Sequence, residues 1–309
     1  MAFIDRRVFC KASGFALAAT LIDTSALAKS PVGESKMQQR KIPKSGEAIG
    51  IVGLGTSRVF DVGRDVDARQ RCVSIVAQLV ASGGAFIDTG SAYFSAEQVT
   101  GEAARSVGRD QTFLATKVLA EDTITAERQI KASKRRLAPG PIDLLQIHNL
   151  SSWQTLLPIA QSLKARGLVR YVGVTHHTND ALPELIRVLN TQDLDFVGFQ
   201  YSLMEREAEK TLLPLASEKG VAFIANKPFA QGKLFRAFAD EPMPPIAHDL
   251  ECQSWAQYFL RFVVSHPSVT CVIPGTGKLE HAVDNFSAGF PPLPSRAQAV
   301  LMAKAVMGT

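Results

Sequence analysis

The chain lacks most of the features by which a sequence declares an unusual class. It has four cysteines in 309 residues, and none stands at the spacing of a zinc site or a redox motif. That excludes a disulfide framework or a zinc cluster as its source of stability. No basic stripe is interleaved with aromatics, and the formal charge of +5 is spread along the chain. The densest basic run of the body, KASKRR (Lys131 to Arg136), falls on a helical pattern and reads as a solvated face. Nucleic acid is therefore excluded as a partner. No low-complexity tract is present, and no apolar run approaches the roughly 18 residues that span a bilayer, so no stable membrane anchor is expected. Nothing resembles an activated serine or cysteine nucleophile.

What is present is ordinary globular composition, 46% hydrophobic and 20% charged, enough to bury a large core. The first 28 residues are a separate problem. Twin arginines, Arg6 and Arg7, precede Phe9 and Lys11; a short apolar run follows, and then Ala26-Leu27-Ala28. A charged start, a short apolar middle and an A-x-A site describe a secretory signal, and the paired arginines resemble the twin-arginine export signal. The expected location is the periplasm with the Tat export machinery as a partner, or the cytoplasm if the signal is not used. Cleavage after Ala28 removes three basic and two acidic residues, which takes the net charge from +5 to +4. It also removes Cys10, leaving Cys72, Cys252 and Cys271, an odd set read as buried thiols, with one disulfide as the alternative in an oxidising compartment.

Residues 29–45 read as a linker, and a short hairpin is expected to cover one end of the fold that occupies residues 46–309. From there apolar runs recur at 49–55, 85–89, 112–117, 142–148, 169–175, 195–200, 221–226 and 269–275. Stretches with apolar residues at helical spacing separate them, several ending in glycine: Gly83, Gly108, Gly167 and Gly220. Eight strands alternating with helices over this length predict a single-domain α/β protein, a closed parallel (β/α)8 TIM barrel with a short N-terminal hairpin. The rival is an open dinucleotide-binding sheet. Its fingerprint would be GIVGLGTSR, where Arg58 stands in place of the third small residue, so that reading fails.

A barrel gathers its chemistry where the strands end. The second strand ends at Asp88, with Tyr93 in the loop beyond; the third ends at Lys117 and the fourth at His148. Singly these read as a turn cap, a surface lysine and a core histidine. Together they place a carboxylate, a phenol, an ammonium and an imidazole at one barrel mouth. A phenol is a weak acid near neutrality, and an adjacent ammonium favours its phenolate. The lysine needs a counter-charge, which Asp88 can supply, and His148 can donate to the same acceptor oxygen as Tyr93. The set suits a carbonyl becoming an alkoxide, with a hydride from a bound cofactor filling the place of the missing nucleophile. Metal hydrolysis at His176-His177 is disfavoured: strand 1 offers no His-x-His, and adjacent histidines are expected to diverge. Phe60, Phe94, Trp153 and Phe229 follow strands 1, 2, 4 and 7 and are candidates for a pocket wall or for loop packing.

The motifs GLGTS, FIDTGSAY, ATK, LLQIH, FQYSLMER and VIPGT…EHAVDN, in this order, resemble the aldo-keto reductase superfamily from about Gly53 to Ala288. The resemblance implies Tyr93 as general acid, Asp88 and Lys117 as the groups that tune it, and His148 as the group that orients a small aldehyde or ketone. It implies NADP as cofactor, with NAD as the alternative. Gly55 and Thr56 would lie near it, and Gln200 would meet the nicotinamide amide. The usual Ser-Asn pair is here Thr175-His176, and the usual Tyr-Ser-Pro is Asn226-Lys227-Pro228, which removes an aromatic platform and offers Lys227 to the pyrophosphate. Thr276, Lys278 and Asn285, at the start of and along the helix after strand 8, would hold the far end of the cofactor, with Lys278 the one cation there for a 2′-phosphate. The alternative from another class is a nicotinamide-binding redox sensor or regulatory subunit without turnover.

Overall fold

A computed structural model describes residues 36–307. The candidate signal, residues 1–28, lies outside the described residues. An antiparallel hairpin comes first, β1 (Gln39–Lys41) and β2 (Ala48–Gly50). Eight strands then follow: β3 (Leu54–Gly55), β4 (Phe86–Asp88), β5 (Phe113–Val118), β6 (Ile142–His148), β7 (Val169–Thr175), β8 (Phe196–Gln200), β9 (Ala222–Asn226) and β10 (Val269–Val272). Each pairs in parallel with the next. Parallel bridges from Val52 to Val272 and from Gly55 to Gly275 join first to last, which closes the barrel.

Helices α1 (Val66–Ala81), α2 (Ala96–Val107), α3 (Thr123–Leu137), α4 (Trp153–Ala165), α5 (Leu182–Thr191) and α6 (Leu212–Glu218) return the chain between β3 and β9. The β9–β10 connection holds α7 (Lys233–Ala237), α8 (Pro245–Asp249) and α9 (Trp255–Val264), and α10 (Leu279–Ser287) and α11 (Arg296–Met307) follow β10. Asp65, Asp122 and Ser254 cap the starts of α1, α3 and α9 through side-chain oxygens, satisfying free amides there. Gly83, Gly108, Gly167 and Gly220 all have positive φ just past helix ends, the conformation that ends a helix cleanly only without a Cβ.

Strand alternation divides the core. Outward residues pack under the helices. Inward residues Phe86, Phe113, Leu144, Tyr171, Phe196, Ala222 and Cys271 form a separate apolar cluster, closed by Ile42 and Ile49 of the hairpin. The hairpin thus plugs the N-terminal end of the barrel, and side chains at the strand starts bind it there. Arg170 pairs with Glu47 at 2.6 Å, Tyr171 donates to Ser45 Oγ at 2.9 Å, and Arg40 donates to the carbonyl of His266 at 2.9 Å.

Several strand ends shift, β10 stopping at Val272 rather than 275, and two boundaries shift most. The run at 49–55 does not form one strand: residues 48–50 complete the hairpin, and the barrel strand is 54–55. The stretch read as linker to residue 45 already contains β1, because Arg40 anchors it against the carbonyls that end α9. Cys72, Cys252 and Cys271 are all free and buried.

Candidate active site

The period of two that puts Phe86, Phe113 and Leu144 in the barrel floor also decides what reaches its mouth. Two residues on, β4 presents Asp88; four on from Phe113, β5 presents Lys117. From Leu144, β6 presents Gln146 and then His148. Asp88, Lys117, Gln146, His148, Thr175 and Asn226 line one cavity of about 670 Å³ at the C-terminal end of the strands. Gly198 keeps it open, since a Cβ there would lie 2.7 Å from Thr175 Oγ1.

Lys117 is buried and its ammonium contacts Asp88 Oδ2, donating also to the carbonyl of Thr89 at 2.7 Å. Gln146 Nε2 donates to Asp88 Oδ1 at 2.9 Å, so both carboxylate oxygens are engaged. Tyr93 arrives from the β4–α2 loop, with its ring seated against Gly90, where a Cβ would come within 3.2 Å of it. The Lys117 ammonium stands 4.9 Å from the Tyr93 ring centroid, and the His148 ring meets Tyr93 edge-on at 5.7 Å. Burial works against the Lys117 charge, but Asp88 and Tyr93 outweigh it and hold the ammonium above its ordinary pKa. Burial, then the Lys117 charge and the neighbouring His177 and His176, push His148 down to about 4. The imidazole is therefore neutral near pH 7 and carries one N–H.

The sign of the His148 effect gives a measurable consequence. In the unfolded chain this group titrates near 6.5, so between 6.5 and 4 the folded state binds fewer protons. Its contribution to stability is complete above 6.5 and is lost as pH falls toward 4. Urea unfolding of wild type and His148→Gln across that range is expected to converge on acidification. A gap between them that stays constant from pH 7 to 4 would show that His148 does not titrate this way.

The remaining candidates divide into two groups. Gly55, Thr56, Thr175, Asn226 and Lys227 line the main cavity, and Gln200 lines a neighbouring one of about 330 Å³, held by Asn179 at 3.0 Å. His176 does not line either: its ring nitrogen accepts from the Thr178 amide at 3.3 Å, and only its carbonyl faces Asn226, at 3.2 Å. Its neighbour His177 lines both cavities. The two rings do not diverge but stack, 5.4 Å apart and 16° from parallel. Among the described residues no three His, Cys, Asp or Glu side chains group as a metal site. Thr276, Lys278 and Asn285 stand outside the main cavity, at α10, whose N-cap is Lys278.

Of the four aromatics, Phe229 alone lines the cavity, with Phe235 beside it. Phe60 is wholly buried in the outer core, Trp153 is buried and bound to Glu184 at 2.6 Å, and Phe94 is 82% exposed. Sequence position after a strand does not tell which way a loop side chain turns. The residues that reasoning missed are Gln146, Arg58, Asn149 and His177. Parity from His148 gives Gln146; the others are loop residues with no such signal.

A nicotinamide dinucleotide fits this donor set. Asn226 Oδ1 is buried without a partner at the cavity wall, as is His148 Nδ1. Arg58 and Lys227 both line the cavity, and burial and then the Arg58 charge lower the Lys227 pKa.

The mouth of this parallel barrel thus holds a buried lysine–aspartate pair beside a phenol and a neutral imidazole. Residues 51–302 match the model of the aldo/keto reductase family, and the chain belongs to that family. It is 30% identical over 167 residues to an uncharacterised oxidoreductase of Schizosaccharomyces pombe, covering 52% of this chain. It is 26% identical over 210 residues to an NADH-specific methylglyoxal reductase of Escherichia coli, covering 58% of this chain. The matches span 51% and 63% of those two relatives. Among solved structures, an aldo/keto reductase of Klebsiella pneumoniae in complex with NADP and acetate superposes with a TM-score of 0.72 at 25% identity, covering 88% of this chain and 95% of that one. The holo form of an aldo-keto reductase of Bacillus halodurans shares the fold, with a TM-score of 0.71 at 21% identity over 87% of this chain and 96% of that one.

Proposed function

We propose that this protein reduces a small aldehyde or ketone to an alcohol with NADPH, Tyr93 being the proton donor. The observation that carries the reading is the buried Lys117–Asp88 pair set beneath the Tyr93 ring. A lysine kept charged inside a barrel has a use where a negative charge must form next to it. Bound at the mouth, the nicotinamide supplies a hydride to the carbonyl carbon. Tyr93 gives its phenolic proton to the carbonyl oxygen, and the Lys117 ammonium stabilises the phenolate left behind. Asp88 keeps Lys117 charged, and Gln146 holds Asp88 in place. His148, neutral, turns its one N–H to the carbonyl oxygen and orients it. Water reprotonates Tyr93 after the alcohol leaves.

Asn226 and Thr175 are suited to the carboxamide, with Gln200 at its edge, and Arg58 and Lys227 to the pyrophosphate. Gly55 and Thr56 form the wall beside it. Thr276, Lys278 and Asn285 take the far end, with Lys278 as the cation for a 2′-phosphate. The Klebsiella relative binds NADP, which supports that choice; the NADH specificity in the Escherichia coli relative's name keeps NAD as the alternative.

Residues 1–28 complete the reading as a twin-arginine signal, cleaved after Ala28, that sends the folded barrel to the periplasm through the Tat machinery. No helix among the described residues is long and apolar enough to cross a membrane. Because a periplasmic enzyme has no evident supply of reduced cofactor, the barrel is proposed to leave the cytoplasm already loaded. Mature protein purified from the periplasm and denatured is expected to release near-stoichiometric NADP(H), identified by mass spectrometry. An empty protein that takes up added cofactor would end the loaded-export idea, and one that takes up none would end the reductase reading.

A further inference from the structure

Beyond the proton-handling residues, the cavity has a second polar wall that the reduction of a simple carbonyl leaves unused. It is built where the loops after β6 and β7 meet. His177 Nδ1 and Asn149 Oδ1 lie 3.1 Å apart, and both residues line the main cavity with Tyr93 and His148. Asn149 is held in the left-handed region, with φ 53°, a conformation that asparagine tolerates better than most side chains. An amide oxygen only accepts, so the His177 proton sits on Nδ1. Nε2 is left as a lone pair, and it makes no hydrogen bond among the described residues. Burial, then Lys227 and His176, keep His177 below its ordinary pKa, which preserves that lone pair near neutral pH. The stacked His176 ring fixes the plane of the imidazole.

We infer that His177, oriented by Asn149, is a specificity-determining residue that accepts a hydrogen bond from a hydroxyl group near the carbonyl of the substrate. The substrate class is then a short hydroxyaldehyde or hydroxyketone rather than a plain alkyl carbonyl. The inference rests on the carbonyl-reductase reading and narrows it. A site that offers a fixed acceptor leaves that acceptor unpaired when the hydroxyl is missing, which is how polar sites discriminate most strongly.

Glyceraldehyde and propanal share a chain length and differ in hydroxyls, and the readout is the ratio of their kcat/KM values with NADPH. In His177→Phe, which keeps a ring and removes the acceptor, this ratio is expected to fall about tenfold relative to wild type, an effect of the size of one lost hydrogen bond. In Asn149→Ala, which removes the acceptor that fixes the proton on Nδ1, the ratio is expected to fall in the same direction by a smaller factor, because His177 keeps its ring nitrogens and loses only their orientation. Because a ratio is read, a variant that is partly unfolded reports the same specificity. An unchanged ratio in His177→Phe, with both aldehydes still reduced, overturns the inference and leaves the reductase reading standing. Failure of wild type to reduce either aldehyde or any other carbonyl overturns both.

Discussion

Tyr93→Phe is expected to lower carbonyl reduction by about a thousandfold, within the range that loss of a positioned general acid produces, while nucleotide binding survives. Phenylalanine keeps the ring that packs against Gly90 and faces the Lys117 ammonium, and it removes only the hydroxyl. No other described side chain at the mouth replaces it. The Lys117 ammonium is held above its ordinary pKa and is a poor proton donor, and His148, its pKa lowered, is neutral at working pH, where an imidazole is a far weaker acid than an imidazolium. Turnover measured with NADPH and a small aldehyde, beside nucleotide affinity by fluorescence, separates two readings of the barrel. An enzyme loses rate and keeps affinity. A nicotinamide-binding sensor shows no turnover to lose in either form. Reduction by Tyr93→Phe within tenfold of wild type would remove Tyr93 as the acid.

Much of this geometry was legible in the chain because barrels translate strand position into depth. Phe86 to Asp88 and Phe113 to Lys117 obey one rule: inward side chains alternate, apolar at the floor and polar at the rim. The same rule placed Gln146 two residues before His148, and it was legible though unread. The first strand was not legible. Residues 48–50 and 54–55 are both apolar, and distant ties hold the former in a hairpin: Glu47 to Arg170, Ser45 to Tyr171, Arg40 to the carbonyl of His266, and Ile42 and Ile49 against the barrel floor. Loop side chains were the least legible. Phe60 and Phe94 follow barrel strands in similar loops, yet one is buried and the other faces solvent. His176 and His177 differ by one position, and only the second lines the main cavity. Local sequence sets neither outcome; the packing of neighbouring loops does.

The Lys117–Asp88 pair is expected to show that stability and function part company in this barrel. Lys117→Met removes the ammonium and leaves a carboxylate that is nearly inaccessible to water, held by Gln146 alone. Breaking a buried pair from one side costs about 3–5 kcal/mol, because the surviving charge is uncompensated. Asp88→Asn strands Lys117 in the same way, with the Thr89 carbonyl as its remaining partner. The double variant Asp88→Asn with Lys117→Met strands neither: the asparagine oxygen still accepts from Gln146, and the methionine fills the channel of the lysine stem. It is expected to recover most of the loss in urea unfolding and, unlike wild type, to show no carbonyl reduction. A buried ion pair kept where a neutral pair is nearly as stable has a purpose other than stability. On the proposed mechanism that purpose would be the charge placed beside the Tyr93 ring, and the double variant tests it. If Lys117→Met alone matched wild type in both stability and turnover, the charge would be neither buried nor used. If the double variant turned over normally, proton transfer at Tyr93 would not depend on the ammonium, and the acid would need another source of its strength.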